Sequence, residues 1–298
     1  MIIKIRKIEL KTLTNKSGVS EQIISLPKGG GAIKGLGEKF QPDMHTGTGN
    51  YSIPLDIPLG RNGFQPNLTL QYSTGNNNGP YGLGWNINTP NISRKTAKGI
   101  PKYKDYAKKP NEFDTFILSG SEDLVLIKEN LNEGMNKNEI HRYFRPKIEG
   151  LFAKIKHVIG INKNYWEITT KSGIKNFYGD DKTSQIYDEE NQNHIYKWLL
   201  SKSIDTFGNI ILYQYKRDNG RNEKGITLFE EGFKSEFNHS YNCTYISKIS
   251  YVNYRNENLD EKFLFSILFD YGDYDENGDK INPWECREDP FSFNKAGF

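Results

Sequence analysis

The stretch TGTGNYSIPLDIPLGRNGFQPNLTLQYSTG, residues 46–75, decides the fold class of this chain. Between residues 52 and 59 every second residue is isoleucine or leucine, and the residues between them are serine, aspartate or proline. A period of two places alternate side chains on opposite faces of a β-strand, so this segment predicts a strand with one buried face. A second alternating segment, residues 67–73, predicts the strand that returns beside it.

Two prolines refine this interpretation. Pro54 and Pro58 lie four residues apart, so their missing N–H groups fall on the same side of the predicted strand. A strand tolerates this when that side is an unpaired edge, so we expect an edge strand or a strand at a seam between two sheets. The dipeptide Asn62-Gly63 lies between the two strands and is a strong turn signal, which predicts a hairpin.

The stretch belongs to a longer segment that is rich in glycine. Thirteen of the 28 glycines fall between Gly29 and Gly84. Glycine serves where the backbone turns sharply or where another chain comes very close, so we assign this density to turns and close packing. The residues to which we assign a structural role are Gly29, Gly30, Gly31, Pro54, Pro58, Asn62, Gly63, Gly82, Gly84, Trp85 and Gly208.

Further hairpins are predicted along the rest of the chain. Each consists of two short segments around a turn rich in polar residues or glycine: 116–118 with 124–127, 165–170 with 174–178, and 196–203 with 210–215. Residues 263–271 are apolar on both faces, and a strand of this kind is covered on both sides. The predicted fold is therefore all-β, with extended antiparallel hairpins that form curved, layered sheets and with few or no helices.

Length and composition agree with a large β fold. The 298 residues divide into three predicted regions: a variable or disordered tail, or a single strand, at 1–24, a glycine-rich β region at 25–130, and a β region with degenerate hairpin repeats at 131–298. The net charge of +3 is spread along the chain and gives no reason to expect nucleic acid as a partner. No apolar run is long enough to insert in a membrane, and the amino terminus does not resemble a Sec signal peptide.

The patterns that would carry chemistry are incomplete. Residues 31–39 lack the Gly-Lys-Ser/Thr ending of a phosphate loop, and the five histidines are never four residues apart. The acidic stretch 270–279 does not have EF-hand spacing, so a solvated turn is the simpler interpretation. Cys243 and Cys286 pair only if the fold brings them together, and we expect both to be free. We therefore assign no catalytic, cofactor-binding or metal-binding residue and no cofactor.

Several segments resemble the amino-terminal region of the SpvB family. Besides residues 46–75, the segments are ISLPKGGGAIKGLGEKF (24–40), GPYGLGWNINTPNISRKT (79–96), KWLLSKSIDTFGNIILYQYK (197–216) and WECREDPFSFNKAGF (284–298). The resemblance covers residues 24–298 in order. The family includes the Salmonella plasmid virulence B protein and the B components of bacterial insecticidal toxin complexes.

The resemblance implies a structural function. In toxin complexes the B component and an RHS-repeat C component build a hollow β-sheet shell around a cytotoxic effector, and a β-propeller of the B component docks on a pore-forming A component. We therefore expect a part of that shell, with an RHS-type C component as partner. The A component would be reached only through downstream regions that this sequence lacks. The chain would be made in the cytoplasm and would act outside the cell within a secreted toxin complex.

The resemblance does not carry enzymatic activity to this chain. The Salmonella protein owes its ADP-ribosyltransferase activity to a separate carboxy-terminal domain, and the Glu-x-Glu pair which that activity requires is absent here. Two other classes stay open. A surface-exposed β binding module, either an adhesin or a carbohydrate-binding domain, would line a groove with exposed aromatic residues. An enzyme with an unrecognised site would hold a buried polar cluster in a deep pocket.

The resemblance also leads to an expectation about the isolated chain. The sequence stops at Phe298, inside the family pattern, so we expect a shell wall that ends with an exposed sheet edge. An exposed edge is an aggregation hazard because its N–H and C=O groups can pair with another chain. The isolated chain should therefore be poorly soluble or oligomeric.

Overall fold

The computed structural model describes residues 2–7, 39–43, 47–97, 99–105, 112–120, 122–133, 138–188, 190–218, 243–256 and 258–271. Within these ranges the chain is built from antiparallel β-strands, and none of these residues belongs to an α-helix. Two three-residue 3-10 turns, Arg61–Gly63 and Lys182–Ser184, interrupt the strands. The all-β class predicted from the sequence is confirmed.

The strands follow one another closely along the chain. The first seven are β1 (Ile2–Lys7), β2 (Lys39–Asp43), β3 (Thr48–Pro54), β4 (Thr69–Ser73), β5 (Asn78–Gly79), β6 (Gly82–Leu83) and β7 (Trp85–Ile87). The next seven are β8 (Asn91–Arg94), β9 (Phe116–Leu118), β10 (Glu122–Glu133), β11 (Glu139–Pro146), β12 (Lys154–Gly160), β13 (Lys163–Thr169) and β14 (Lys175–Tyr178). The last five are β15 (Gln185–Tyr187), β16 (Ile195–Ile204), β17 (Ile210–Asp218), β18 (Cys243–Arg255) and β19 (Glu261–Asp270).

Eight of these strands form a closed ring. β8 pairs with β9, and the pairing continues in chain order to β14. β14 then pairs with β16, and β16 returns to pair with β8. Because alternate side chains of a strand point to opposite faces, every second residue of these strands lies inside the ring. Trp166 and Trp198 are fully buried there.

β16 joins the ring to a second, open sheet. Residues 195–199 of β16 lie between β8 and β15, whereas residues 200–204 lie between β14 and β17. The open sheet continues from β17 through β18 and β19 to β1. Since β16 takes part in both, the ring and the open sheet form one hydrogen-bonded sheet of 13 strands.

A small sheet covers one face of the open sheet. β2, β3, β4 and β7 pair in that order, and residues 55–68 connect β3 to β4. This connection lies on β18. The Tyr251 hydroxyl donates to the Pro58 carbonyl at 2.9 Å, and Nη1 of Arg61 donates to the Asn253 carbonyl at 2.6 Å. The sheets are therefore layered, as predicted.

The strand predicted at residues 52–59, either at an edge or at a seam between two sheets, ends earlier than expected. β3 ends at Pro54 and lies between β2 and β4, so in the described part of the chain it is not an edge strand. Leu55 still donates its N–H to the Leu68 carbonyl at 2.9 Å before the chain leaves the sheet. The opposite side of the strand, where Pro54 lacks its N–H, has no β2 partner because β2 pairs with β3 only as far as Ser52.

Two strands bear on the predicted regions. The tail predicted at residues 1–24 contains β1, which pairs with β19 along its whole length. Residues 8–24 lie outside the described ranges. The boundary between residues 130 and 131 falls inside β10, which pairs with β9 on one side and β11 on the other.

Candidate functional site

A row of large side chains crosses the interior of the ring. His157 on β12 lies directly opposite Arg142 on β11 and Trp166 on β13. Trp166 in turn lies opposite Tyr178 on β14, and all four residues are buried. Residues directly opposite on neighbouring strands have Cβ atoms about 5 Å apart on the same face. The register of four strands is therefore sufficient to bring this row together.

A second cluster is centred on Arg94 of β8. Its guanidinium holds Asp105 through two parallel hydrogen bonds, from Nη1 to Oδ1 at 2.8 Å and from Nη2 to Oδ2 at 2.5 Å. Nη1 also donates to Asp114 at 2.8 Å, and Nε donates to the Ile195 carbonyl at 2.7 Å. The Arg94 side chain is fully buried. Paired geometry of this kind is the arrangement in which a guanidinium binds carboxylates most strongly.

Aromatic rings enclose this ion cluster. The guanidinium carbon of Arg94 lies 4.7 Å from the ring centroid of Tyr103, 5.2 Å from that of Phe116 and 5.3 Å from that of Trp198. Phe116 also packs edge-on against Trp166, with ring centroids 4.9 Å apart. The faces of the aromatic side chains attract the cation, and the edge-on contacts stabilise the aromatic packing. The ion cluster and the row at His157 therefore form one continuous core.

The connection between β8 and β9 supplies both carboxylates of the cluster. Asp114 also accepts the backbone N–H groups of Lys102 and Tyr103, at 2.8 and 2.9 Å, so one side chain orders the loop that carries Asp105. Burial alone would lower the pKa of Arg94, but the two carboxylates raise it. Burial would raise the pKa of Asp105, and Arg94 holds it below its usual range. Each charge is therefore stabilised by the other.

His157 is a neutral imidazole in the centre of this core. Its ring stacks on Trp166 with centroids 4.1 Å apart and an interplanar angle of 3°, and Nε2 lies 2.8 Å from Oδ1 of Asn164. Burial lowers the pKa of His157 to about 3, against the opposing effects of Asp105 and the Asn164 hydrogen bond. Nδ1 of His157 and Nε1 of Trp166 are buried and make no hydrogen bond within the part of the chain that the structure describes.

These groups are arranged to stabilise the ring rather than to react. Arg94 is matched by two carboxylates, and Arg142 forms an ion pair with Glu129. A general acid or base needs a pKa near the working pH and contact with a substrate. His157 is fully enclosed and has a pKa far below neutrality. The buried polar cluster is consequently part of the packed core and not the lining of a pocket.

The residues of this core are not among those for which the sequence predicted a role. Arg94 is in phase with Ile92, and His157 is in phase with Ile155, so the period of two places both polar residues on an apolar face. A polar residue in such a position signals a buried partner, because an unpaired one would be costly. Asp105 gives no comparable signal, since it lies in a connection that has no period.

Three of the predicted structural residues lie in or beside the small sheet. Gly82 and Gly84 have φ angles of +109° and +80°, a backbone conformation that residues with a Cβ rarely adopt. A Cβ on Gly84 would lie 2.5 Å from Cε2 of Tyr72. Tyr72 packs against Trp85 with ring centroids 5.2 Å apart. Gly84 therefore meets two requirements at once, a positive φ and a close approach to an aromatic ring.

Four further predicted residues belong to the β3–β4 hairpin. Asn62 and Gly63, at the turn, have φ angles of +54° and +72°, and the Gly63 N–H donates to the Gly60 carbonyl at 3.1 Å. Pro58 precedes the turn and contacts the open sheet, whereas Pro54 ends β3 in the small sheet. The strands pair as the hairpin prediction requires. Their connection is longer than predicted because it extends across the neighbouring sheet.

Gly208 lies in the turn between β16 and β17. Its φ is +81°, and a Cβ there would meet nothing within 4 Å. The Asp205 carboxylate accepts the N–H groups of Phe207 and Asn209, each at 2.8 Å. Burial would raise the pKa of Asp205, but hydrogen bonds from Asn209 and Phe207 lower it below its ordinary value. This turn needs glycine for its backbone conformation alone.

Other predicted features lie outside the described residues. They are Gly29, Gly30, Gly31, Cys286 and all of the acidic stretch 270–279 beyond Tyr271. Within the described ranges, no group of three or more His, Cys, Asp or Glu side chains could hold a metal ion. The same part of the chain contains no helix long and apolar enough to cross a membrane.

Comparison with known proteins gives a consistent set of relatives. The family described as Salmonella virulence plasmid 65kDa B protein, SpvB, matches residues 43–298. Proteins named mono(ADP-ribosyl)transferase SpvB from Salmonella choleraesuis (strain SC-B67) and Salmonella typhimurium (strain 14028s / SGSC 2262) are each 29% identical, over 92% of this chain and 48% of their own length. The chain thus spans about half the length of these curated relatives.

Solved structures of two kinds share this fold. The N-terminal domain of effector protein SpvB from Salmonella typhimurium strain LT2 has a TM-score of 0.64 and 26% identity, over 81% of each chain. TcdB2-TccC3 has a TM-score of 0.68 and 26% identity, over 92% of this chain and 14% of that one. The Photorhabdus luminescens Tc holotoxin pore has a TM-score of 0.68 and 27% identity, over 93% and 13%. From its match to the family over residues 43–298, the chain belongs to the SpvB family.

Proposed function

We propose that this chain is a non-enzymatic structural segment of a toxin-complex B component and that it helps to build a β shell around a cytotoxic effector. The observation that carries the proposal is the likeness to TcdB2-TccC3, which extends over 92% of this chain. In that structure the matching part is only 14% of a much longer chain. A wall element of a large shell is expected to have this proportion.

The architecture supports a wall function. A shell wall needs a continuous sheet that does not depend on a ligand for its shape. Here the ring and the open sheet share β16, so 13 strands are joined by uninterrupted backbone hydrogen bonding. The small sheet adds a second layer over the open part. A sheet closed on itself at one end is also protected there from pairing with other edges.

The buried chemistry supports a function without catalysis. The buried arginines Arg94 and Arg142 are each paired with carboxylates, and the imidazole of His157 is neutral and enclosed. The relatives named as mono(ADP-ribosyl)transferases are about twice as long as the matched part. A structural neighbour of the chain is an N-terminal domain. We therefore assign the transferase activity of those relatives to the part of their length that this chain does not match.

The proposed partner is an RHS-type C component, since the neighbouring structures combine a TcdB2 part with a TccC3 part. A pore-forming A component would bind through parts of a B component that this chain does not match. The chain would then act outside the cell, as part of a secreted complex.

Co-expression tests this proposal. The full polypeptide that carries this segment is expressed with the RHS-type C component from the same source, and the mixture is separated by size exclusion. We expect co-elution and hollow particles in electron micrographs. The variants Arg94→Met, at the buried ion cluster, and Lys95→Met, at the half-exposed neighbouring residue, form a matched pair. Only the first should lower the yield of particles.

Two results would contradict the proposal. One is a folded B-type protein and a folded C component that elute separately under all conditions. The other is transfer of labelled ADP-ribose from NAD to proteins of a host-cell lysate by this segment alone, because a structural segment has no such activity.

A further inference from the structure

A cavity of about 250 Å³ lies outside the ring, where the ring, the open sheet and the small sheet meet. Its lining comes from β7 and the residues that follow it, from β15 and β16, and from β17 and β18. The volume is just below the range of about 300–1,000 Å³ that is usual for ligand pockets, so it fits a small molecule. None of the ionisable groups of the ring core lines this cavity.

Lys197 on β16 supplies the only positive charge among the described lining residues. Its neighbour Trp198 points into the ring, so alternation directs Lys197 outward into the cavity. In the described part of the chain no carboxylate lies within ion-pair distance of its ammonium. Its contact is the ring of Tyr196, whose centroid lies 5.7 Å from Nζ. Burial lowers the pKa of Lys197, and no neighbouring charge opposes this effect.

A second lining group also lacks a partner. Oγ1 of Thr244 on β18 is buried and makes no hydrogen bond to any of the described residues. A buried hydroxyl without a partner costs free energy, and a half-buried ammonium without a counter-charge does so to a smaller degree. The two groups at one cavity therefore indicate a ligand that would satisfy both. The rim carries the exposed amides of Asn86 and Asn88, and amides both donate and accept hydrogen bonds.

We infer that this cavity binds a small sugar acid, with its carboxylate on Lys197 and its hydroxyl groups on Thr244 and the rim asparagines. One unpaired ammonium matches the single charge of a carboxylate better than the double charge of a phosphate. Hydroxyl groups, like amides, donate and accept, so they suit the asparagines. The apolar lining residues, among them Ile87 and Leu199, can pack against the C–H face of a sugar ring. The site does not depend on the shell function proposed above.

Titration calorimetry with glucuronate tests the inference, with glucose, acetate and inorganic phosphate as the comparison ligands. We expect glucuronate to bind with a dissociation constant of about 1 mM or tighter, and more strongly than each comparison ligand. Glucose lacks the carboxylate and acetate lacks the hydroxyl groups, so each measures one half of the proposed recognition.

Three variants separate recognition from folding. Lys197→Met keeps the side-chain length but removes the charge, and it should weaken glucuronate binding about tenfold or more. Lys202→Met on the same strand removes an ammonium paired with Asp180 at 3.3 Å, and it should leave binding unchanged. Thr244→Val should weaken binding less than Lys197→Met, because it removes a neutral hydrogen bond.

The stability of the ligand-free variants gives an independent readout. Removing an unpaired, half-buried ammonium should raise the melting temperature of Lys197→Met by about 2 °C or more, as is common at binding sites. A lower melting temperature would show that Lys197 stabilises the fold and would overturn the inference. It would also be overturned by absence of glucuronate binding, by equal binding of glucose, by stronger binding of phosphate, or by unchanged binding in Lys197→Met.

Discussion

The closed ring and the open sheet bury their inner faces by different means. Inside the ring, Arg94, Arg142 and His157 lie among aromatic side chains. The covered face of the open sheet is built from isoleucine and aromatic residues, with Ile249 and Ile267 fully buried. A ring encloses its own interior and can therefore keep charges away from water if they are paired. An open sheet needs a second layer, which the small sheet and the β3–β4 connection supply.

This difference predicts which changes destabilise each region. A buried ion pair adds little to stability over an apolar core, but breaking it is costly because it leaves an uncompensated charge. The ring should thus be sensitive to single charge deletions and to acid. The open sheet should respond to loss of its cover in smaller steps, since each contact of the covering layer is an ordinary hydrogen bond or apolar contact.

The largest effect is expected at Arg94. Arg94→Met leaves Asp105 and Asp114 buried without a cation and should lower the free energy of unfolding by about 3–5 kcal/mol in urea titrations. The control is Lys95→Met, which breaks a half-exposed pair with Asp123 and should cost about 0–1 kcal/mol.

A double variant tests the physical reason for this prediction. Arg94→Met combined with Asp105→Asn should recover part of the loss, because the uncompensated charge of Asp105 is removed as well. If Arg94→Met costs no more than Lys95→Met, the ring does not depend on its buried charge, and the contrast between the two regions disappears.

The next effect is acid sensitivity of the ring through His157. Its pKa is about 3 in the folded protein and about 6.5 when unfolded, so between these values the unfolded chain binds more protons. The contribution of neutral His157 to the free energy of unfolding is therefore fully present above about pH 6.5. It is lost as the pH falls below that value, by about 1.4 kcal/mol per pH unit. Asp105 opposes this shift, whereas Arg94 and Arg142 reinforce it.

The measurement is the slope of unfolding free energy against pH, between about pH 4 and pH 6.5. His157→Gln keeps a hydrogen-bonding group beside Asn164 but does not titrate, so its slope should be shallower than that of the unchanged protein. Equal slopes would mean that the ring opens to water before His157 is protonated.

A smaller effect compares two glycines. Gly84→Ala and Gly208→Ala both place a Cβ at positive φ, which costs about 1–2 kcal/mol. Only at Gly84 does the Cβ also meet Tyr72 at 2.5 Å, so overpacking should add about 1–3 kcal/mol to its cost. Thermal or urea unfolding checks the difference. An equal loss of unfolding free energy in the two variants would show that the small sheet rearranges around Tyr72 to accommodate the added Cβ.

The smallest effect tests the cover of the open sheet. Tyr251→Phe removes the hydrogen bond to the Pro58 carbonyl and should cost about 0.5–1.5 kcal/mol. Tyr165→Phe, at a half-buried position of β13 with no hydrogen bond from its hydroxyl, is the control and should cost less. Faster proteolysis of the β3–β4 connection in Tyr251→Phe would locate the loss at the cover, and an unchanged rate would contradict that location.

Much of the strand pattern was predictable from single segments. The alternation in residues 165–170 and the turn at Gly208 carry their own signals, because a period of two and a glycine with positive φ are local properties. The strand at residues 52–59 was predicted too far along the chain, and its position was predicted as an edge or as a seam between two sheets. Its alternation continues past Pro54, but whether a strand has neighbours depends on β2 and β4, which lie elsewhere in the sequence.

The candidate site was harder to predict. The ion pair between Arg94 and Asp105 joins a strand to a loop without a period, and the contact between Tyr251 and Pro58 joins residues 193 positions apart. Lys197 is a basic residue in an alternating strand, which by itself is typical of a solvated face. Its position in a cavity follows from three sheets meeting at β16.

The sequence by itself determined that this chain is all-β, where many of its turns lie and to which family it belongs. These properties follow from short segments, because the period of a strand, the residues of a turn and each family motif can be identified without the rest of the fold. Tertiary structure decided that eight strands close into a ring, since the pairing of β8 with β16 joins segments about a hundred residues apart. It also decided which polar groups are buried. Alternation shows which residues share a face of a strand. Only the closed sheet determines whether that face contacts water, a carboxylate or an aromatic side chain.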